Sequence, residues 1–163
     1  MSSENSTERR RAHRQRPQRP VVLLVDSHAD TRDLYTMALP SFGFEIVAIE
    51  HLADAYARAW QTHPDVIATE IARSTDTCWN VIQDLKRDPR TRDIPVVIVT
   101  SHGQRAVREQ AAREGCAAFL MKPCLPDHLA ATLRDVLSIQ PMTGSRAPSD
   151  GDTRPAVPGD ARV

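Results

Sequence analysis

Pro64-Asp65-Val66-Ile67-Ala68-Thr69-Glu70 is a short apolar run that ends on an acid. Val21-Val22-Leu23-Leu24-Val25-Asp26 has the same form earlier in the chain, and Val96-Val97-Ile98-Val99-Thr100 ends on a hydroxyl. Two further runs, at about 44–49 and 117–121, complete the series, and Lys122-Pro123 follows the last of them. These runs are short and rich in β-branched residues, which predicts strands over helices. They lack polar alternation, as expected of strands covered on both faces.

Helical patterns fill the gaps. Asp30 to Leu39 sets Leu34, Met37 and Ala38 on one face, with Pro40 marking its end. Leu52 to Gln61 carries Leu52, Ala55, Tyr56 and Ala59, and Thr77 to Arg87 carries Val81, Ile82 and Leu85. Gln104 to Glu114 stops at Gly115, a residue suited to a left-handed helix end. Pro126 to Leu137 starts on a proline and carries Leu129, Leu133, Val136 and Leu137. Five strand–helix repeats predict an α/β fold, a doubly wound five-stranded parallel sheet with five helices. In the flavodoxin-like strand order 2-1-3-4-5, the crevice lies at the carboxyl ends of strands 1 and 3. Asp26 and Glu70 would stand at those two ends.

The formal net charge of zero conceals a split. In residues 1–20, six arginines against two glutamates leave a +4 arm; residues 21–138 carry a −4 excess, and 139–163 balance. The polar arm and the Pro/Gly-rich tail from 139 cannot bury enough apolar area to offset their ordering entropy, so both are expected to be disordered. The ordered domain is expected at 21–138, with no room in the tail for an output domain. Cys78, Cys116 and Cys124 have neither disulfide nor zinc spacing. No run reaches the roughly 18 apolar residues of a membrane span, and no secretory signal is present, so a cytoplasmic protein is expected. The arginine arm lacks interleaved aromatics, and nucleic acid is therefore not an expected partner.

As a set, the strand-end groups resemble the receiver domain of two-component response regulators, over roughly residues 21–138. The resemblance implies a phospho-accepting aspartate at the end of strand 3, where this chain has Glu70. It implies two adjacent acids after strand 1, where the chain has Asp26 and Ser27. It places Thr100 as the switch hydroxyl, Phe119 as its aromatic companion, and Lys122 as the lysine aimed inward by a cis Lys122-Pro123 bond. In the family these groups hold magnesium and neutralise a phosphoryl group.

The departures weaken that chemistry. Ser27 is a neutral ligand where magnesium wants carboxylate oxygens. Glu70 extends its carboxylate by roughly 1.5 Å relative to aspartate, comparable to misplacements that cost ~100-fold in rate. Ser74 and Cys78 stand where the family has a proline and a glycine. No cofactor is expected, and magnesium at most weakly, with Asp26 its remaining acid after strand 1. The expected protein is an atypical response regulator that is not phosphorylated. It would act by protein–protein interaction with a histidine kinase, an output protein or an adaptor. The docking surface implied is the helix 4–strand 5–helix 5 face, roughly Gln104 to Leu137, which could also serve a homodimer.

Two other readings stay open. One is a working receiver phosphorylated at Glu70 or at a nearby hydroxyl, Thr69, Ser74 or Thr75. The other is a small flavodoxin-like enzyme or nucleotide-binding protein, although Asp26-Ser27-His28-Ala29-Asp30 is not a Gly-rich phosphate loop. Simpler roles stand beside the functional ones. Glu70 would be an ion-pair partner of Lys122 and Thr100 a helix cap. His28 and His102, in loops that flank the crevice, would be solvated residues rather than a proton donor or ligand, and Cys78 a buried inert thiol rather than a redox sensor. Asp30, Arg32 and Asp33 would be a solvated first turn, and Trp60 and Trp79 packing residues.

Overall fold

The computed structural model of the chain describes residues 19–71 and 76–139. The basic arm up to residue 18, the tail from 140, and Ser74 and Thr75 lie outside the described residues. Five strands form one parallel sheet: β1 (Val21–Val25), β2 (Glu45–Ile49), β3 (Val66–Thr69), β4 (Val96–Thr100) and β5 (Ala118–Met121), in the order 2-1-3-4-5. Between and after them run α1 (Ala29–Ala38), α2 (Ala55–Thr62), α3 (Asp76–Arg87), α4 (Arg105–Arg113) and α5 (Pro126–Ile139). This is the flavodoxin-like fold expected, with each strand within about a residue of its apolar run.

The period-2 geometry of a strand divides the sheet into two cores. Val22, Leu24, Ala68, Val97 and Val99 face one side, against Tyr35 and Leu39 near α1 and Leu129, Leu133 and Val136 of α5. Leu23, Val25, Ile67 and Val96 face the other, against Ala55 and Ala59 of α2 and Leu85 of α3. Ile98 continues that side with Trp79 and Ile82 of α3 and Val107 and Ala111 of α4. Each fully buried Leu or Ile contributes about 1.5–3 kcal/mol by leaving water.

Coverage on both faces holds for β1, β3 and β4, which are buried nearly throughout. The edge strand β2 is a correction to the uniform expectation: Glu45 and Ala48 are exposed, and the other three residues are half-buried. A strand paired on one side only is covered less completely.

α1 corrects the predicted face. Leu34 is 50% exposed and Met37 81%, while Tyr35 and Leu39 are buried. The Tyr35 hydroxyl donates to the Cys124 carbonyl oxygen at 2.8 Å, fastening α1 beside the start of α5. Pro40 marks the end of the α-helix as expected: α1 stops at Ala38, and a 3-10 turn with Pro40 in its first positions closes on Gly43 at φ 93°. That left-handed value is open to glycine without a Cβ penalty. Tyr35→Phe leaves the buried Cys124 carbonyl without its donor, so urea unfolding should show a loss of about 1–3 kcal/mol. A loss within error would mean that water replaces the hydroxyl.

Trp79 is buried as expected, whereas Trp60 is half-exposed and lies under the Arg90 guanidinium at 5.2 Å. Among the described residues no helix is long and apolar enough to cross a membrane.

Candidate functional site

The parallel register carries the ends of β1, β3 and β4 to one edge. Val25 pairs with Thr69, and Thr69 with Ile98, so Asp26 and Glu70 leave the sheet side by side, and Thr100 ends β4 one residue beyond their level. Backbone bonds hold the first two in place: the Asp26 amide donates to the Ile49 oxygen, and the Glu70 amide to the Val25 oxygen at 2.8 Å. Lys122 enters just after β5, where its amide donates to the Thr100 oxygen at 2.8 Å. The Lys122–Pro123 bond is cis.

Lys122 bridges both acids. Its Nζ lies 2.7 Å from Asp26 Oδ2 and 3.1 Å from Glu70 Oε1. The Asp26 and Glu70 side chains are 3% and 7% exposed and that of Lys122 12%, so water screens the triad little. Burial pushes the Glu70 carboxyl pKa up, but hydrogen bonds from Lys122 and His28 and the Lys122 charge outweigh it. The pKa therefore lies below its ordinary value.

The second oxygen of each acid turns to the β1–α1 loop. Ser27 Oγ donates to Glu70 Oε2 at 3.1 Å, and His28 Nδ1 lies 3.0 Å from the same oxygen. His28 Nδ1 is also 3.4 Å from Asp26 Oδ1, which accepts the His28 amide at 2.9 Å. Arg32 reaches back to donate to the Asp26 carbonyl oxygen at 2.7 Å. His28 thus flanks the crevice as the sequence led us to expect, and it is bonded to Glu70, whereas Arg32 departs from a solvated first turn by reaching the Asp26 carbonyl. His28 remains 66% exposed while its Nδ1 is on Glu70. Its position two residues beyond a strand-end acid was the available signal.

Thr100 is fully buried; its hydroxyl donates to the Ile71 oxygen at 2.8 Å and accepts from the His102 amide at 3.0 Å. It does not cap α4, whose N-cap is Gln104, with no side-chain cap bond. Phe119 pairs in register with Ile98 and is half-buried against the core between α3 and α4, with the Arg108 guanidinium 5.0 Å from its ring centre. Among the described residues every buried side-chain polar atom has a hydrogen-bond partner.

Cys78 is half-buried, not buried, and lines a cleft of about 170 Å³ with Val25, Ser27, Glu50, His51, Leu52 and Glu70. Away from the crevice, burial pushes the Cys116 thiol up to about 11, which leaves little thiolate at neutral pH.

Residues 22–134 match the family model described as the response regulator receiver domain. The chain is 30% identical over 127 residues to the phosphate regulon transcriptional regulatory protein PhoB of Pseudomonas aeruginosa, covering 78% of this chain and 56% of that protein. It is 29% identical to the protein PilH of the same organism, covering 72% of this chain and 97% of PilH. The chain spans about half the length of the PhoB relatives it matches. Among solved structures it superposes on the chemotaxis protein CheY4 of Vibrio cholerae with a TM-score of 0.66 at 22% identity, covering 72% of this chain and 98% of that one. This last likeness shows the fold alone.

Proposed function

We propose a function from one premise: the chain belongs to the response regulator receiver domain family of two-component signalling. Within that family it is an atypical member that is not controlled by phosphorylation at the strand-3 acid and acts through protein–protein interaction. One observation carries the reading. Both Glu70 oxygens are engaged within the protein, Oε1 by Lys122 and Oε2 by Ser27 and His28. A carboxylate that must attack phosphorus would have to give up these bonds, and its pKa, held low, accompanies a weaker nucleophile.

The donor set supports the same reading for the metal. Magnesium demands near-octahedral oxygen coordination and is usually bound through one or two carboxylates. Here the second acid is replaced by a hydroxyl that donates to Glu70, Lys122 takes one oxygen of each remaining carboxylate, and the oxygens left over face the His28 imidazole, a nitrogen donor that magnesium does not favour. These residues do not fit a magnesium site, and no step is routed through one.

Of the alternative hydroxyls, Thr69 is 1% exposed and donates to the Glu70 carbonyl, a poor position for modification. The cleft beside Glu70, about 170 Å³, falls below the roughly 300–1,000 Å³ of small-molecule sites, which counts against an enzyme or nucleotide-binding role for the crevice. The partner surface is the α4–β5–α5 face. Arg105, Arg108 and Arg113 are exposed there, while Glu114 is tied down by Gln83 and Gln110. Arg105 is paired with exposed Glu109 at 2.6 Å, so the face is charged and mixed, which suits polar, transient contacts with a protein partner.

The test is intact-mass spectrometry after incubation with acetyl phosphate and magnesium. The double variant Ser27→Asp, Glu70→Asp should gain one phosphoryl group, and the natural chain none. A phosphoryl gain on the natural chain would overturn the reading and require the modified residue to be mapped.

A further inference from the structure

We propose that the crevice is a site for a divalent transition cation of the zinc or cobalt class, held by Asp26 Oδ1, His28 Nδ1 and Glu70 Oε2. The inference rests on the reading that this pocket no longer runs phosphoryl transfer.

The first observation is how the carboxylate oxygens are divided. Lys122 takes Asp26 Oδ2 and Glu70 Oε1. The other two oxygens lie 3.4 and 3.0 Å from His28 Nδ1, and Asp26, His28 and Glu70 each offer one ligand atom within 4.8 Å of those of the other two. Lys122 and the cation therefore use different oxygens of the same two acids and need not compete for one. Lys122 also fixes both carboxylates in orientation, so the site is built before any metal arrives.

The second observation is the spacing. His28 Nδ1 is 3.0 Å from Glu70 Oε2 and 3.4 Å from Asp26 Oδ1. A tetrahedral zinc ion with ligands at about 2.0–2.1 Å separates its ligand atoms by about 3.3 Å. Both contacts lie close to that edge, so small side-chain rotations suffice. The Ser27 hydroxyl, bonded to Glu70 Oε2 at 3.1 Å, supplies the outer hydrogen bond that steadies a metal-bound carboxylate.

The third is chemical. Imidazole suits zinc, copper, iron and nickel, whereas magnesium and calcium prefer oxygen donors. A receiver-type crevice that exchanges an acid for Ser27 and brings in His28 has moved its preference from hard to borderline cations. Entry is open, because His28 is two-thirds exposed at the rim while the two acids form the buried floor. Three protein ligands leave a fourth position for water or for a group from a partner protein.

The test uses the full chain without any phosphoryl donor. Zn²⁺ and Mg²⁺ are titrated by calorimetry and Co²⁺ by its visible d–d absorption, in the natural chain, His28→Ala and a His128→Ala control. His28 and His128 are both exposed, so neither change endangers folding. One equivalent of Zn²⁺ should bind, the affinity should fall by at least about 10-fold in His28→Ala, and His128→Ala should match the natural chain. Co²⁺ should give tetrahedral bands that vanish in His28→Ala, and excess Mg²⁺ should not displace Zn²⁺. Equal Zn²⁺ affinity with and without His28, no Zn²⁺ binding, or equal competition by Mg²⁺ would each overturn the proposal. A phosphoryl gain by the natural chain in the mass experiment would instead remove the reading beneath it, so the two failures are distinguishable.

Discussion

Replacing Lys122 with methionine should lower the stability of the domain by about 3–5 kcal/mol at neutral pH, the cost of breaking a buried ion pair by removing one partner. The ammonium is the buried cation on both acids, at 2.7 Å from Asp26 and 3.1 Å from Glu70. Without it, two carboxylates with side chains 3% and 7% exposed would face each other across the crevice. The effect should have a definite pH dependence. In the natural chain the Glu70 pKa is lowered on folding. Its contribution is therefore present above the unfolded carboxylate pKa, about 4.3, and is lost as pH falls through the lower folded value. In Lys122→Met, burial acts without its main opponent and raises that pKa above the unfolded value. The deficit relative to the natural chain should be full near pH 7 and shrink as the pH falls towards and below about 4.3, first as Glu70 takes up its proton in the variant and then as it does so in the natural chain. Urea unfolding of both proteins across that range measures it. A difference below about 1 kcal/mol at pH 7, or one that persists unchanged in acid, would show that the triad is not an energetic unit.

The second large effect belongs to the core. Leu133→Ala should cost about 3 kcal/mol, within the range for a leucine truncated at a fully buried site. Leu133 is 0% exposed, on α5, in the core shared with Tyr35, Leu39, Val97 and Val99. Met37→Ala is the contrast: its side chain is 81% exposed, and its change should stay within about 0.5 kcal/mol. Paired urea curves decide it. If Met37→Ala were the more costly of the two, α1 would pack with the face that its sequence suggested and the arrangement described here would be wrong.

That pair of variants marks where sequence reasoning reached its limit in α1. Leu34, Met37 and Ala38 formed a plausible apolar stripe at helical spacing, but Tyr35 and Leu39 form another, one residue round. Spacing does not rank two stripes. The choice falls to what lies opposite: the Cys124 carbonyl accepts the Tyr35 hydroxyl, which satisfies a polar group in the core.

The acids and the lysine were legible because strand ends are marked locally. An apolar run that stops on Asp26 or Glu70 names the residue at the sheet edge, and the α/β alternation places that edge. The sequence puts His28 in a loop beside the crevice but does not choose between a solvated residue and a partner of the acids; the structure has both, a largely exposed ring with its Nδ1 on Glu70. Arg32 was read as the outer side of a first turn, yet it reaches the Asp26 carbonyl. Neither contact follows from residue type, since it depends on how the β1–α1 loop curls back over the site.

By itself, then, the sequence determined the five strand–helix units, their parallel sheet, and which residues stand at its carboxyl edge, because burial patterns and strand ends are properties of short segments. Only the tertiary structure decided how those residues share their bonds: Lys122 on one oxygen of each acid, Ser27 and His28 on the other oxygen of Glu70. The partners come from segments 42 to 96 residues apart, so their contacts are set by how the helices and loops pack on the sheet. Hydrogen bonds depend on tenths of an ångström and on direction, and no local pattern in the chain encodes either.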